Sequence, residues 1–374
     1  MKTPATELLN IELPIFAFSH CRDVVAAVSR AGGMGVLGIS AFTPEKLEEE
    51  LAWIDAHVDG KNYGVDILIP NRYDKAASQQ MTLAKVRAMV PPEHRVFSDN
   101  LCEQAGAAPL TAEGETQLAH HIGNIHMTPE TAEELVSVAL SHPQVTLLVN
   151  ALGTPPKERV ADLQAGGLKV GSLIGKAEHA AAQVEAGVDL IVAQGSEAGG
   201  HTGKISSMVL WPQIIAAVAP VPVLAAGGIG NGRQMAAAMA MGAAGVWCGS
   251  IWLGTAESEL SAAMKARLFQ AGADDAIQSR SRTGKPCRML RSKFTEAWDG
   301  ATAPAPLPMP MQTMAVAESL MRLERAHADD YLTYPVGQLV GNMQHETSVR
   351  HIIQDMLEDF IAATEQLNAL LAND

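Results

Sequence analysis

The sequence predicts an α/β fold: a (β/α)8 TIM barrel with a helical insertion after the third strand and a helical cap at the C-terminus. Three observations predict it. Eight short apolar runs recur between residues 13 and 250. Helical patterns separate most of them, and the alternation breaks in only two places, one long gap and one tail.

The first run is LPIFAF (13–18), followed by a helical pattern over 23–31. MGVLGIS (34–40) and a helix over Pro44–His57 come next, then YGVDILI (63–69). TLLVNAL (146–152), KVGSLIG (169–175) and DLIVAQG (189–195) are the fourth to sixth, and VPVLAAGG (221–228) and GVWCGS (245–250) complete the set. Continuous apolar runs of this length are what strands buried on both faces require, and repeated helical crossovers keep them parallel.

The two breaks define the rest. Between the third and fourth runs lie roughly 75 residues, too many for one crossover. An insertion over about residues 70–145 is expected there, with two or three helices including one over 128–140. After Ser279 the alternation stops. This divides the chain into a barrel over 1–278 and a helical cap over 279–374, with helices near 312–328 and 348–371 packed on the barrel. The proline-rich APAPLPMP leaves a separate domain on a stiff linker as the other reading.

Composition narrows the function. The 374 residues are 47% apolar and 18% charged, enough for a sizeable core, and aromatics at 4% leave that core to aliphatic side chains. A formal charge of −14 argues against nucleic acid and anionic membranes as partners. An anionic ligand would have to be held by local N–H groups. Cys21, Cys102, Cys248 and Cys287 are widely separated, with neither a disulfide framework nor zinc spacing. His120, His121 and His126, and the stretch HETSVRH (345–351), lack an acid or thiol at ligand spacing, so no metal is expected. With no signal-like apolar core and no apolar run of roughly 18 residues, the expected location is cytoplasmic.

Two glycine-rich turns carry the first chemical signal. LAAGGIGNGRQMAAAMAMGA sets a strand, a turn with Gly227, Gly228 and Gly230, and a helix in direct succession. Bare backbone N–H groups and a helix N-terminus can hold a phosphate there without net positive charge. Gly249 and Ser250 make a second turn after the eighth run. Barrel enzymes bind phosphate after strands seven and eight; simple tight turns are the blander alternative. GGMGVLG matches G-x-G-x-x-G at Gly33, Gly35 and Gly38, but its glycines fall in a strand, so a dinucleotide site is set aside.

The loop AQGSEAGGHTG (193–203) carries the second signal. It opens at the C-terminal end of the sixth strand, where barrel enzymes place catalytic groups. Gln194 offers an amide for the polar edge of a heterocycle, Gly199 and Gly200 let backbone lie close to a flat ring, and His201 projects between glycines. Histidine titrates near neutrality and can take a proton from a weakly acidic carbon. The basic stretch over 280–293 reads as a solvated strip that could reach a ligand phosphate. Cys21 reads as a buried spectator thiol despite its place at a helix start.

These segments, with PIFAFSHCRDVVAAVSRAGGMGVLG at the start, together resemble the nitronate monooxygenase family, also called 2-nitropropane dioxygenases. YPVGQLVG near the end is similar to that family's late motif, at Gly337, Gln338 and Gly341. The resemblance implies a barrel holding non-covalent FMN that oxidises alkyl nitronates or nitroalkanes with O2 to a carbonyl compound and nitrite. It places Gln194, Gly199, Gly200, Gly227 and Gly228 against the flavin, and Trp247, Cys248, Gly249 and Ser250 around its phosphate. Phe18, Ser19 and Asp66 would lie by the ring, and His201 would be the base or the substrate anchor.

Two departures stand out. Phe18, Ser19 and His20 replace the family's Ala-Pro-Met run, which makes His20 a substrate-pocket candidate, and Asp66 replaces a common Asn. The expected partners are a small-molecule substrate and O2, with a homo-oligomer left open. The alternatives are an NAD(P)H-dependent FMN reductase acting on a quinone or enoyl thioester, a non-catalytic flavin or phosphate-ligand binding protein, and a flavin-free barrel lyase.

Overall fold

The computed structural model describes residues 1–69, 81–124 and 129–371. Eight strands close into a barrel in sequence order: β1 (Ile15–Ser19), β2 (Met34–Gly38), β3 (Tyr63–Ile67), β4 (Val145–Asn150), β5 (Lys169–Ile174), β6 (Leu190–Gln194), β7 (Val223–Ala226) and β8 (Gly245–Cys248). Each pairs in parallel with the next, and β8 returns to β1 through Ile15 opposite Val246 and Phe16 opposite Trp247.

Side chains alternate between two cores, as the period of a strand demands. Phe16, Met34, Val36, Leu147, Val149, Leu190, Val192, Leu224 and Trp247 fill the barrel interior. The helix Pro4–Leu9 closes its lower end by adding Ala5 and Leu9 to that interior cluster. The opposite faces of the strands pack against the surrounding helices, as with Ile15, Leu37, Val65, Leu148 and Ile191.

The long gap resolves into two different things. Helix Pro129–Leu140 sends Ala132, Leu135, Val136 and Ala139 into the outer barrel core and so serves as the barrel's own crossover. Helices Leu83–Met89, Pro92–Gln104 and Ala112–Asn124 form the insertion proper. They pack on the tail rather than the strands: Leu101 and Cys102 cluster with Phe294, Trp298, Val316 and Leu323, and Val86, Leu118 and Ile122 cluster with Met314. Residues 70–80 of the expected insertion, residue 128 of the expected helix, and His126 lie outside the described residues.

The tail is not wholly helical. It opens with an antiparallel pair, β9 (Ala276–Ser279) and β10 (Cys287–Leu290), before the helices Lys293–Asp299, Met311–Arg325 and Val349–Leu371. The expectation of a solvated basic strip over 280–293 holds in part: Arg280, Lys285, Arg291 and Lys293 are exposed. Ser281, however, is fully buried, Arg282 lines the central cavity, and Arg288 turns onto the carbonyls of Ser196 and Ala276. Among the described residues no helix is long and apolar enough to cross a membrane, and no cluster of His, Cys, Asp and Glu is placed to hold a metal ion.

Candidate active site at the barrel mouth

A cavity of about 500 Å³ opens at the C-terminal ends of the strands, within the range that takes a drug-sized ligand. All fourteen expected site residues line it. Phe18, Ser19 and His20 come from the end of β1, Asp66 from β3, and Gln194, Gly199, Gly200 and His201 from β6 and its loop. Gly227 and Gly228 follow β7, and Trp247, Cys248, Gly249 and Ser250 come from β8 and its turn.

The two glycine turns meet at one rim. Gly227 and Gly228 hold φ at +107° and +74°, a region L-residues rarely enter, so the turn keeps backbone facing the cavity. Among the described residues, the N–H groups of Gly228, Ile229, Gly249 and Ser250 have no hydrogen-bond partner in the protein. Four unpaired donors at the edge of a cavity are a set that could hold an anion, as backbone turns can.

The next helix offers less than expected. At the N-terminus of helix Gly232–Ala240, Asn231 Oδ1 accepts from Gln234 N at 2.9 Å, and Asp359 Oδ2 accepts from Arg233 N at 2.9 Å. Gly232 has no side chain because helix Val349–Leu371 lies directly against it, at the backbone of Met356 and Phe360. Gly230 is likewise spent, its N–H donating to Gln234 Oε1 at 2.8 Å. The four unpaired donors named above all lie in turns.

The loop after β6 is held from several sides. Glu197 accepts from the backbone N–H of Ser207 at 2.9 Å and from its hydroxyl at 2.8 Å, capping helix Ser207–Val218. The late motif explains itself here: Gly337 N donates to Ser250 Oγ at 2.8 Å, and Gln338 N donates to the Glu197 carbonyl at 2.9 Å. That stitches the β6 and β8 loops together through the tail. Gly199 is bare for packing, since a Cβ there would lie 2.8 Å from the Val336 carbonyl carbon. Gly200 is bare for conformation, with φ at +80° and open space beside it.

His201 is solvent-exposed at the cavity edge, and its Nδ1 lies 3.0 Å from the Pro286 carbonyl. A carbonyl only accepts, so Nδ1 carries the proton and Nε2 is the basic nitrogen of the neutral ring. His20 is tethered in the same way, Nδ1 to the Gly38 carbonyl at 3.1 Å, with Phe18 edge-on at 5.1 Å. A Cβ on Gly38 would collide with the His20 ring at 2.6 Å, so the two residues are coupled in space.

Asp66 is 6% exposed, and among the described residues no donor reaches its carboxyl group. Burial raises its pKa to about 8, so the side chain is a neutral acid at pH 7. Among the described residues no cation opposes the desolvation. Burial also raises the thiols: Cys248 reaches about 12, and Cys21 shifts upward while donating to the Glu257 carbonyl at 3.2 Å. Neither is a nucleophile at neutral pH.

Sequence reasoning missed Glu259, Arg282, Thr283 and Tyr334, which also line the cavity. Burial pushes the Glu259 carboxyl up, with Glu50 adding to the effect and His20 opposing it. Only the basic run around Arg282 gave any signal, and it was read as solvated surface.

Comparison with known proteins agrees with this arrangement. The sequence profile described as nitronate monooxygenase matches residues 2–359. A protein of Mycobacterium tuberculosis, provisionally named as a monooxygenase, is 46% identical and covers 99% of this chain and 100% of its own. The solved structure of FabK from Thermotoga maritima superposes with a TM-score of 0.72 at 26% identity, covering 99% of each chain. A nitroalkane oxidase from Streptomyces ansochromogenes gives a TM-score of 0.77 at 24% identity over 98% of this chain and 100% of the other, a likeness of fold. With the profile spanning nearly the whole chain and the barrel mouth built as described, the protein belongs to the nitronate monooxygenase family of flavin-dependent oxidoreductases.

Proposed function

We propose that the protein holds FMN at the barrel mouth and oxidises an alkyl nitronate or nitroalkane with O2, giving a carbonyl compound and nitrite. One observation carries this reading: four unpaired backbone N–H groups and a histidine with a basic Nε2 border the same cavity of about 500 Å³. The residues fit a flavin mononucleotide. Gly228, Ile229, Gly249 and Ser250 would hold the phosphate through N–H groups, which suits a chain of charge −14 with little positive field to offer. Gln194 would meet the polar edge of the ring, and Phe18 and Trp247, stacked at 6.3 Å, would wall it. Asp66, as a neutral acid, can donate a hydrogen bond there without placing a negative charge beside an electron-rich ring.

A bound flavin would supply the electron acceptor, with O2 as the final oxidant. The protein's own work is then acid–base chemistry and placement. His201 Nε2 would take the α-proton of a neutral nitroalkane; toward a nitronate, already deprotonated, the protonated ring would anchor the anion. The apolar wall of Leu68, Leu173 and Leu260 holds the alkyl part and keeps bulk water off the reacting carbon.

Anaerobic mixing of the purified protein with a nitronate, and separately with NADH, tests the proposal. Bleaching of the flavin by the nitronate alone is expected. Bleaching by NADH would instead favour an NAD(P)H-dependent reductase on the same barrel.

A further inference from the structure

The β9–β10 hairpin lies outside the barrel, yet it is bonded repeatedly to the loop that carries His201. Gly200 and Arg288 exchange both backbone hydrogen bonds, at 2.9 and 2.7 Å, so the loop is joined to the hairpin by an isolated antiparallel bridge. Gln278 Nε2 donates to Thr202 Oγ1 at 3.0 Å. The Arg288 side chain then ties separate segments together, with Nε donating to the Ser196 carbonyl at 2.9 Å and Nη1 to the Ala276 carbonyl at 2.5 Å. Among the described residues Arg288 makes no ion pair; the nearby Glu197 spends its carboxylate on Ser207. A half-buried guanidinium given over to backbone carbonyls serves geometry, which its rigid planar fork suits.

We propose that this hairpin is a positioning element for the reaction: Arg288 holds the 196–202 loop against β10 so that the Pro286 carbonyl fixes His201 as the tautomer with a basic Nε2. This rests on the role proposed for His201. One hydrogen bond of ordinary strength biases a tautomer only about fivefold. The bias is kept only if the backbone that carries the ring stays beside the carbonyl, and the cross-links on both sides of His201 hold it there. Arg288 is thus a positioning residue that acts through His201 and touches neither substrate nor cofactor.

The test uses full-length protein labelled with ¹⁵N-histidine, with His201→Asn to assign the ring signals. Wild type is expected to show a protonated Nδ1 and an unprotonated Nε2 at His201. In Arg288→Ala the two shifts should move toward each other, with kcat falling about tenfold or more and KM changing less than about threefold. Arg288→Lys, which keeps a donor for one carbonyl, should recover part of both. Should the alanine variant fail to fold by circular dichroism, Gln278→Ala probes the same loop with a smaller shift in the same direction. Unchanged ring shifts and kcat in folded Arg288 and Gln278 variants, or a wild type protonated on Nε2, would overturn the proposal. A wild type inert toward nitronates would remove the proposed reaction alone, because the nitrogen shifts need no substrate.

Discussion

The two ends of the barrel treat their polar groups in opposite ways. At the floor, Tyr63 at the start of β3 donates to Asp55 at 2.8 Å, whose other oxygen meets His142 Nδ1 at 2.6 Å. His142 Nε2 continues to Glu48 at 3.2 Å. Donors and acceptors there consume one another. At the mouth, among the described residues, the N–H groups of Gly228, Ile229, Gly249 and Ser250 have no protein partner and the buried Asp66 carboxyl group has no donor. Paired groups hold the fold together, whereas unpaired ones wait for a ligand. The difference teaches where function lies before any substrate is known.

That contrast can be broken at either end. The largest effect is expected from His201→Asn, which removes the proposed base without touching the core. Its kcat should fall by about 10²–10⁴, with little change in melting temperature. Next comes Gly228→Ala. Its φ of +74° costs an alanine roughly 1–2 kcal/mol, and the new Cβ would sit 3.3 Å from the Glu197 Cβ. Flavin affinity, measured by equilibrium dialysis, should weaken about tenfold while the fold persists.

At the floor the signs reverse. His142→Ala leaves Asp55 and Glu48 without their shared cation or donor. With His142 buried and Asp55 partly exposed, the expected loss is about 2 kcal/mol by urea unfolding, with kcat of the remaining folded enzyme unchanged.

Asp66 gives the most specific effect. Its folded pKa, about 8, lies above the value of 3.8 for a free side chain. Between these values the folded state keeps a proton that the unfolded chain releases. The Asp66 contribution to stability is therefore fully present below pH 4 and is lost as pH rises toward 8. In the flavin-free protein, stability relative to Asp66→Asn should fall by more than about 1 kcal/mol between pH 5 and 8. Parallel pH profiles for the two proteins would contradict a buried neutral acid.

Much of this was legible in the sequence because buried parallel strands write themselves as unbroken apolar runs. Every barrel strand falls within two residues of its expected bounds. The glycines and His201 were legible as well, since Gly227 and Gly228 adopt backbone geometry that restricts residue choice. The hairpin was not. AIQS and CRML are too short to show a period, and their value lies in a distant partner, Gly200. Nor could the sequence reveal that helix Gly232–Ala240 is capped by Asp359, because that depends on how the last helix packs across Gly232. The helix N-terminus looks fully available in the sequence, yet its Arg233 and Gln234 N–H groups are taken.

The central claim is that bare backbone at the β7 and β8 turns grips a phosphate. Titrating flavin-free protein with FMN and with riboflavin, which lacks the phosphate, tests it most directly. The account predicts that FMN binds at least about a hundredfold more tightly, with the excess reduced in Gly228→Ala. Equal affinity for the two flavins would contradict it.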